Sequence, residues 1–207
     1  KYWDRKYKRT ADLVVIEGPE AGGHLGFKKE ELAEYTPETY GEEIRKIIRT
    51  VKSYAEKYNT EIPVVVAGGI YDSSDVKRAM GLGADGVQVA TRFVTTEECD
   101  ADIRYKQAYI NASKEDIMIV KSPVGMPGRA ILNPLMEQVA KGIQIPHSPC
   151  HRCLAKCNPA DIPYCITDGL INAVKGNIEK GLLFCGAKAW KAEKIDTVRD
   201  AVQELFA

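Results

Sequence analysis

Three short hydrophobic runs stand out in the first half of the chain, at residues 13–17, 63–67 and 86–90. Each run contains Val or Ile, does not alternate strictly with polar residues, and is followed by Gly or small polar residues. Runs of this length without alternation are typical of strands that are buried on both faces, as in a parallel sheet. The pattern therefore predicts three buried, parallel strands.

Helical patterns separate these three strands. Residues 37–58 carry apolar side chains three and four positions apart, which is the spacing of one helix face, and Thr36 before Pro37 is a suitable start. A shorter capped helix is predicted to begin near Ser73 and to be closed by Gly81. The order strand, helix, strand, helix, strand predicts a βαβαβ unit with right-handed crossovers, and hence an α/β fold.

The pattern is less regular after residue 93. The predicted elements are a helix at 101–112, a β-like stretch at 117–120, a Gly/Pro-rich connection at 122–128, and closing helices near 168–180 and 197–206. We interpret the connection as a loop with a solvated Arg129, in preference to a lid in which Arg129 holds an anion. Prolines break the cysteine-rich segment at 150–165. We therefore expect two parts, a βα unit at 1–135 and a cysteine-rich segment with closing helices at 136–207.

Composition and charge narrow the classes of partner. Lys and Arg together number 29, as do Asp and Glu, so the formal net charge is zero. Without a sustained basic face, nucleic acid and anionic membranes are poor candidate partners. The apolar runs are too short to cross a bilayer, and the polar start of the chain lacks the apolar core of a signal peptide. We therefore expect a cytoplasmic protein whose six cysteines form no secreted disulfide framework.

Glycine and other small residues follow the second and third predicted strands. Gly68 and Gly69 come directly after the second strand, and Ala90 and Thr91 end the third. Because glycine has no Cβ, backbone N–H groups at such positions can approach a phosphate closely. In a (β/α)8 barrel, the loops after the last two strands form a phosphate site of this kind. We predict a phosphate-binding cradle here, while a tight turn is the alternative explanation for the glycine pair alone.

A histidine lies in the small-residue loop that follows the first strand. His24 is flanked by Gly22 and Gly23 on one side and by Gly26 on the other. A histidine with a pKa near 6.5 can accept or donate a proton at neutral pH, and the adjacent glycines allow a planar ligand to come close. Since active sites commonly use βα loops, we interpret His24 as catalytic in preference to an ordinary surface histidine.

Three segments, 17–26, 63–70 and 85–93, together resemble the nitronate monooxygenases, formerly called 2-nitropropane dioxygenases. They equally resemble the related flavin-dependent enoyl-acyl carrier protein reductases. Both are FMN enzymes on a TIM (β/α)8 barrel, and the resemblance covers about residues 10–135. It implies that His24 is the catalytic histidine. It also implies a set of cofactor-binding positions: Gly22 and Gly23 against the flavin, Gln88 near the cofactor, and Gly68, Gly69, Ala90 and Thr91 around the FMN phosphate.

The resemblance also indicates how much of a barrel the chain contains. Three parallel strands cannot close a barrel, which takes eight strands and roughly 250 residues. In the family, the strand before the histidine loop lies past the middle of the barrel. We therefore expect only the last strands and helices of the barrel here, with a C-terminal cysteine-rich extension. Such a piece alone is expected to bind FMN weakly.

Four cysteines are closely spaced in the cysteine-rich segment: Cys150, Cys153, Cys157 and Cys165. Thiolates at such spacings can converge on one metal, and four of them suit structural zinc or an iron–sulfur cluster. Reduced thiols in an irregular segment are the alternative, because the spacing matches no familiar zinc finger. The resemblance does not imply this cluster, since plain members of the family lack it.

The remaining cysteines and two histidines are secondary candidates for the same site. His147 and His151 are alternative ligands to the thiolates. Cys99 and Cys185 are expected to be packing residues, although Cys185 is also a candidate replacement for one of the four clustered cysteines.

The expected function is the FMN-dependent oxidation of an alkyl nitronate by O2. An alternative on the same fold is the NAD(P)H-dependent reduction of an enoyl thioester. An alternative of another class is a non-catalytic binding module held together by a metal. The expected partners are therefore a small-molecule substrate with O2 or NAD(P)H, and assembly into a homo-oligomer stays open.

Overall fold

The computed structural model describes residues 1–147, 149–155 and 157–207. The strands of this described part are β1 (Val14–Glu17), β2 (Gly23–His24), β3 (Val64–Ala67), β4 (Gly86–Gln88), β5 (Ile117–Lys121) and β6 (Pro127–Ile131). The α-helices are α1 (Tyr2–Tyr7), α2 (Lys29–Leu32), α3 (Pro37–Tyr58), α4 (Ser73–Gly81), α5 (Thr91–Val94), α6 (Ile103–Ile110), α7 (Pro134–Ala140), α8 (Ile166–Val174) and α9 (Val198–Leu205). Among the described helices, none is both long enough and apolar enough to cross a membrane.

A three-stranded parallel sheet has the order β1-β3-β4, with β3 in the centre. Helix α3 connects β1 to β3, and α4 connects β3 to β4. The predicted βαβαβ unit and the α/β fold are therefore confirmed. The third strand is shorter than predicted and ends at Gln88, because the backbone leaves the extended conformation at Ala90 to begin α5.

Helix α3 has the predicted bounds because its cap and its apolar face agree. The hydroxyl of Thr36 accepts a hydrogen bond from the backbone N–H of Thr39 at 3.2 Å, and Pro37 occupies the first turn. Asn59 ends the helix in a left-handed conformation. Ile44 and Ile48 are buried against the parallel sheet in one hydrophobic cluster. This helix therefore covers one face of the strands whose ends form the candidate site.

Helix α4 begins with a cap that the sequence analysis did not identify. Asp72, and not one of the serines after it, is the N-cap residue. Its carboxylate accepts hydrogen bonds from the backbone N–H groups of Ser74 at 3.1 Å and Asp75 at 3.2 Å. Two of the unpaired N–H groups at the helix start are thereby satisfied. The helix ends at Gly81 as predicted.

A second sheet, antiparallel with the order β2-β6-β5, was not predicted from the sequence. The predicted stretch at 117–120 is confirmed as β5, but part of the predicted loop at 122–128 belongs to strand β6. Arg129 lies on this strand and donates a hydrogen bond to the carbonyl of Ala21, so the solvated-arginine interpretation was wrong. Pairing of β6 with β2 joins the hairpin to the histidine loop.

The two predicted closing helices are present as α8 and α9, but their bounds differ from the prediction. Helix α8 starts two residues before the predicted region and ends at Val174, because Gly176 adopts a positive φ of 77° and a 3-10 helix follows at Ile178–Lys180. Helices α6 and α9 lie inside their predicted ranges. Helix α7 was not predicted, although Asn133 caps it by accepting a hydrogen bond from Met136 N–H at 3.0 Å.

Hydrophobic clusters combine residues from both sides of the predicted boundary at residue 135. One cluster contains Ile131 with Leu183, and another contains Val120 with Leu182. Leu205 of α9 packs in the same cluster as the parallel sheet. The C-terminal segment is therefore packed directly on the βα unit, and the two-part division stays a prediction.

We expect the Thr36→Ala substitution to lower the free energy of unfolding by about 1 kcal/mol, because it removes the N-cap of the long helix α3. Thr50→Ala is the matched control, since Thr50 lies on the exposed surface inside the same helix and Ala has the higher helix propensity there. Urea unfolding of both variants measures the difference. Equal losses of stability in the two variants would contradict the capping role.

Candidate active site

The loops after the three parallel strands meet around one cavity of about 270 Å³. They meet because parallel strands present their carboxyl ends at the same edge of the sheet. All seven predicted cofactor positions line this cavity: Gly22, Gly23, Gly68, Gly69, Gln88, Ala90 and Thr91. Their spatial convergence, which the sequence suggested only through strand order, is thus present in the structure. The ligand contacts of these seven residues remain a prediction.

The glycine pair after β3 has a backbone that other residues rarely adopt. Gly68 and Gly69 have φ angles of 85° and 72°, both in the left-handed region. A Cβ on Gly68 would lie 2.9 Å from the backbone nitrogen of Ala21, and one on Gly69 would overlap the side chain of Glu20. Glycine is therefore required at both positions by conformation and by space. The glycine pair therefore lets residues 20–21 of the histidine loop pack directly on the end of the central strand.

Gly22 is needed for a reason that differs from the predicted one. A Cβ at this position would lie 2.6 Å from the carbonyl carbon of Cys185 and 2.7 Å from the nitrogen of Gly186. The glycine thus lets the histidine loop pack on the chain at residues 185–186. The Gly186 N–H donates to the hydroxyl of Thr91 at 2.9 Å, which ties the loop after β4 to the same segment.

His24 lies beside this cavity on strand β2. Its Nε2 atom is 2.7 Å from the hydroxyl oxygen of Ser122, whose side chain is buried. Its ring meets the ring of Phe184 edge to face, with centroids 5.0 Å apart, and Phe184 lines the cavity together with Gly23. Burial lowers the pKa of His24 below its usual value of 6.5, so the imidazole is neutral at neutral pH.

Several residues of this site were missed by the sequence analysis. They come from helix α6, from the hairpin loop and from the segment near residue 185: Tyr105, Tyr109, Ser122, Phe184 and Gly186. The hydroxyl of buried Tyr109 donates to the carbonyl of Phe184, and burial raises its pKa well above the usual value. The sequence did contain one sign of this segment. The apolar residues 182–184 are followed by Cys185 and Gly186, as the hydrophobic runs of the strands are followed by small residues.

The charges around the cavity are partly neutralised. Glu17 and Glu20 both line it, and Glu20 forms an ion pair with Arg78 across 3.6 Å. Arg92, which directly follows Thr91, is buried and forms ion pairs with Asp196 and Glu204 of the C-terminal region. These pairs fix the start of α5 beside the cavity.

Five of the six cysteines line two separate cavities. Cys150, Cys153, Cys157 and Cys165 line one small cavity, together with His147 and His151. Cys185 instead lines the cavity at the strand ends, where burial raises the pKa of its thiol to about 12. The expectation that Cys185 packs in the interior is therefore confirmed, and it does not join the other four cysteines. Cys99 is half-buried.

The comparisons with known proteins identify the family. The model of the family described as nitronate monooxygenase matches residues 4–207. The "Probable nitronate monooxygenase" of Staphylococcus saprophyticus is 34% identical over 128 residues, and that of Bacillus subtilis is 33% identical over 131 residues. These matches cover 62% and 63% of this chain but only 34% and 35% of the relatives. The chain therefore matches about a third of the length of these curated relatives.

Solved structures share the fold over nearly the whole chain. The structure of FabK from Thermotoga maritima aligns with a TM-score of 0.68 at 26% identity, over 94% of this chain and 53% of FabK. The nitroalkane oxidase from Streptomyces ansochromogenes aligns with a TM-score of 0.62 at 23% identity, over 94% of this chain and 52% of that protein. The family resemblance and the fold predicted from the sequence are thereby confirmed.

We expect Gly22→Ala to lower the free energy of unfolding by about 1–3 kcal/mol, because the new methyl group overlaps the backbone at residues 185–186. Gly26→Ala is the matched control in the same loop, since nothing lies within 4 Å of its added Cβ, and it should change stability by less than about 0.5 kcal/mol. Urea unfolding without added FMN measures both. A Gly22→Ala protein as stable as the control would contradict this packing.

Proposed function

The chain belongs to the nitronate monooxygenase family. On that premise we propose that the cavity at its strand ends is part of the active site of an enzyme that oxidises alkyl nitronates with O2. The observation that carries the proposal is the convergence of three strand-end loops on one cavity with His24 beside it. Oxidation would convert the nitronate carbon to a carbonyl and release nitrite. The proposed reaction uses none of the four clustered cysteines.

FMN is the cofactor that we propose for this cavity. The backbone at Gly68 and Gly69, which has left-handed φ angles at both residues, would hold its phosphate together with the backbone at Ala90 and Thr91. Gly22 and Gly23 would lie against the flavin ring, with Gln88 nearby. When bound, FMN supplies the redox chemistry, while the protein supplies binding and orientation.

His24 is the proposed catalytic residue. In its neutral form the imidazole can either donate one hydrogen bond to a nitronate oxygen of the substrate or accept a proton from the substrate. The hydrogen bond between its Nε2 atom and the Ser122 hydroxyl holds the orientation of the ring. The Phe184 ring and the buried Tyr109 would exclude water from this side of the site.

The same-fold alternative is the reduction of an enoyl thioester by NAD(P)H. The alignment with FabK at 26% identity is the observation that favours it. Membership of a family of enzymes argues against the third hypothesis, a non-catalytic binding module. Cytoplasmic location and homo-oligomer formation stay predictions from the sequence.

We expect the full-length enzyme, loaded with FMN, to consume propyl nitronate and O2 with release of nitrite, and to leave a crotonyl thioester with NADH unchanged. The His24→Ala substitution should lower nitronate turnover by about 10²–10⁴-fold, because it removes proton transfer or polarisation at the substrate. The FMN content of the variant should stay the same, which is the control for folding. Reduction of the thioester without turnover of nitronate would favour the alternative, and an unchanged rate in the variant would remove His24 from the mechanism.

The dependence of activity on pH follows from the burial of His24. Because burial lowers its pKa, the neutral imidazole persists as the pH falls through 6.5. A rate that requires neutral His24 should therefore fall with decreasing pH, with the midpoint of the loss below pH 6.5. The pH profile of kcat/KM measures this. A loss of activity centred above pH 6.5, and absent in His24→Ala, would contradict the assignment.

A further inference from the structure

Neither regular secondary structure nor extensive hydrophobic burial orders the described part of the cysteine-rich segment. The described residues of 141–165, between α7 and α8, form no helix or strand. Connections of more than about 15 residues without regular structure are uncommon inside compact domains. Within the described residues of this segment, Tyr164 is the one large apolar side chain that is buried. Hydrophobic burial therefore contributes little to ordering it.

Four thiols nevertheless face one small cavity. Cys150, Cys153, Cys157 and Cys165 line an enclosed space of about 20 Å³. His147 and His151 also line it, together with apolar side chains: Pro123, Leu154, Pro159, Ile162 and Ile166. Cys150 and Cys153 reach the surface, while Cys157 and Cys165 are half-buried. An apolar shell around soft sulfur ligands is typical of metal sites and controls the access of solvent to them.

The geometry of the turn between Cys150 and Cys153 is a second observation that indicates a metal site. Arg152 has a φ of 52°, which places a non-glycine residue in the left-handed region. Its backbone N–H donates a hydrogen bond to the sulfur of Cys150, with the two atoms 3.4 Å apart. N–H bonds to sulfur stabilise thiolates and tune the metal centres that thiolates hold. The turn therefore presents Cys150 as a supported ligand.

We propose that Cys150, Cys153, Cys157 and Cys165 bind one metal centre through four thiolates, and that this centre is an iron–sulfur cluster in preference to a single zinc ion. A tetrahedral zinc with Zn–S bonds of about 2.3 Å draws its sulfur atoms to about 3.8 Å from one another. Among the described residues, the one group of three or more ligand atoms within 4.8 Å of each other is His151, Cys165 and Asp168. No three of the thiol sulfurs are that close, which suits a larger cluster.

The mixed group of His151, Cys165 and Asp168 is the competing site. The Nε2 atom of His151 lies 2.7 Å from a carboxylate oxygen of Asp168, so these two groups already bind each other. Four thiolates form a softer and more uniform ligand set for iron or zinc than this mixed group does. The pair therefore lies beside the centre and supplies none of its ligands.

The centre would also support the candidate active site. Pro123 lines the thiol cavity, and the preceding residue Ser122 contacts His24. A metal that orders the cysteine-rich segment would thus hold one side of the loop that orients the histidine. This consequence rests on the proposed role of His24, whereas the metal site itself does not.

Metal analysis of the protein purified without oxygen tests the proposal. Iron and acid-labile sulfide should be present in equal amounts, with visible absorption that persists after FMN is removed. Cys153→Ser and Cys157→Ser should each lower the iron and sulfide content at least about tenfold. Cys99→Ser is the matched control outside the cluster, and His151→Ala tests the competing group; both should retain the metal.

Each other outcome overturns part or all of the proposal. Zinc at one ion per chain, lost in the two cysteine variants, would overturn the iron–sulfur assignment. Wild-type protein without metal would overturn the site, even if a variant fails to fold. Metal that is lost in His151→Ala but retained in both cysteine variants would assign the ligands to the competing group. Because these readouts do not depend on nitronate turnover, their failure is distinct from failure of the proposed function.

Discussion

The parallel pairing of β1, β3 and β4 is the constraint on which the candidate site depends. It places the carboxyl ends of three strands at one edge, so that loops distant in sequence surround one cavity. The central strand then ends in Gly68 and Gly69, whose left-handed backbone and missing Cβ atoms let residues 20–21 pack directly on them. Without this pairing the glycine-rich loops would be unrelated turns.

Packing from the C-terminal region completes the cavity and limits its shape. Cys185 and Gly186 lie against Gly22, and the Thr91 hydroxyl accepts a hydrogen bond from Gly186. Arg92 binds Asp196 and thereby holds the turn after β4 to the segment before α9. The cavity is therefore built by the βα unit and by the segment that follows the cysteines. This explains why the hydrophobic clusters contain residues from both parts of the chain.

The antiparallel sheet has a separate role, since it positions the proposed catalytic His24 and its partner Ser122 beside the cavity. Strand β2 carries His24 and pairs with β6, and the hairpin between β5 and β6 supplies Ser122. The same hairpin loop borders the four thiols through Pro123. One short hairpin thus connects the histidine with the cysteine-rich segment, although the two are far apart in sequence.

The sequence by itself determined the βαβαβ unit, helix α3 and the glycine-rich strand ends. Those features are local, because buried strands, helix caps and glycine turns are encoded by neighbouring residues. Only the tertiary structure decided that residues 127–131 form a strand and that Arg129 is bound to Ala21. The hydrogen bond between His24 and Ser122 could not be predicted from the sequence either, since the two residues are 98 positions apart. Such contacts depend on packing between distant segments, which no local pattern of residues specifies.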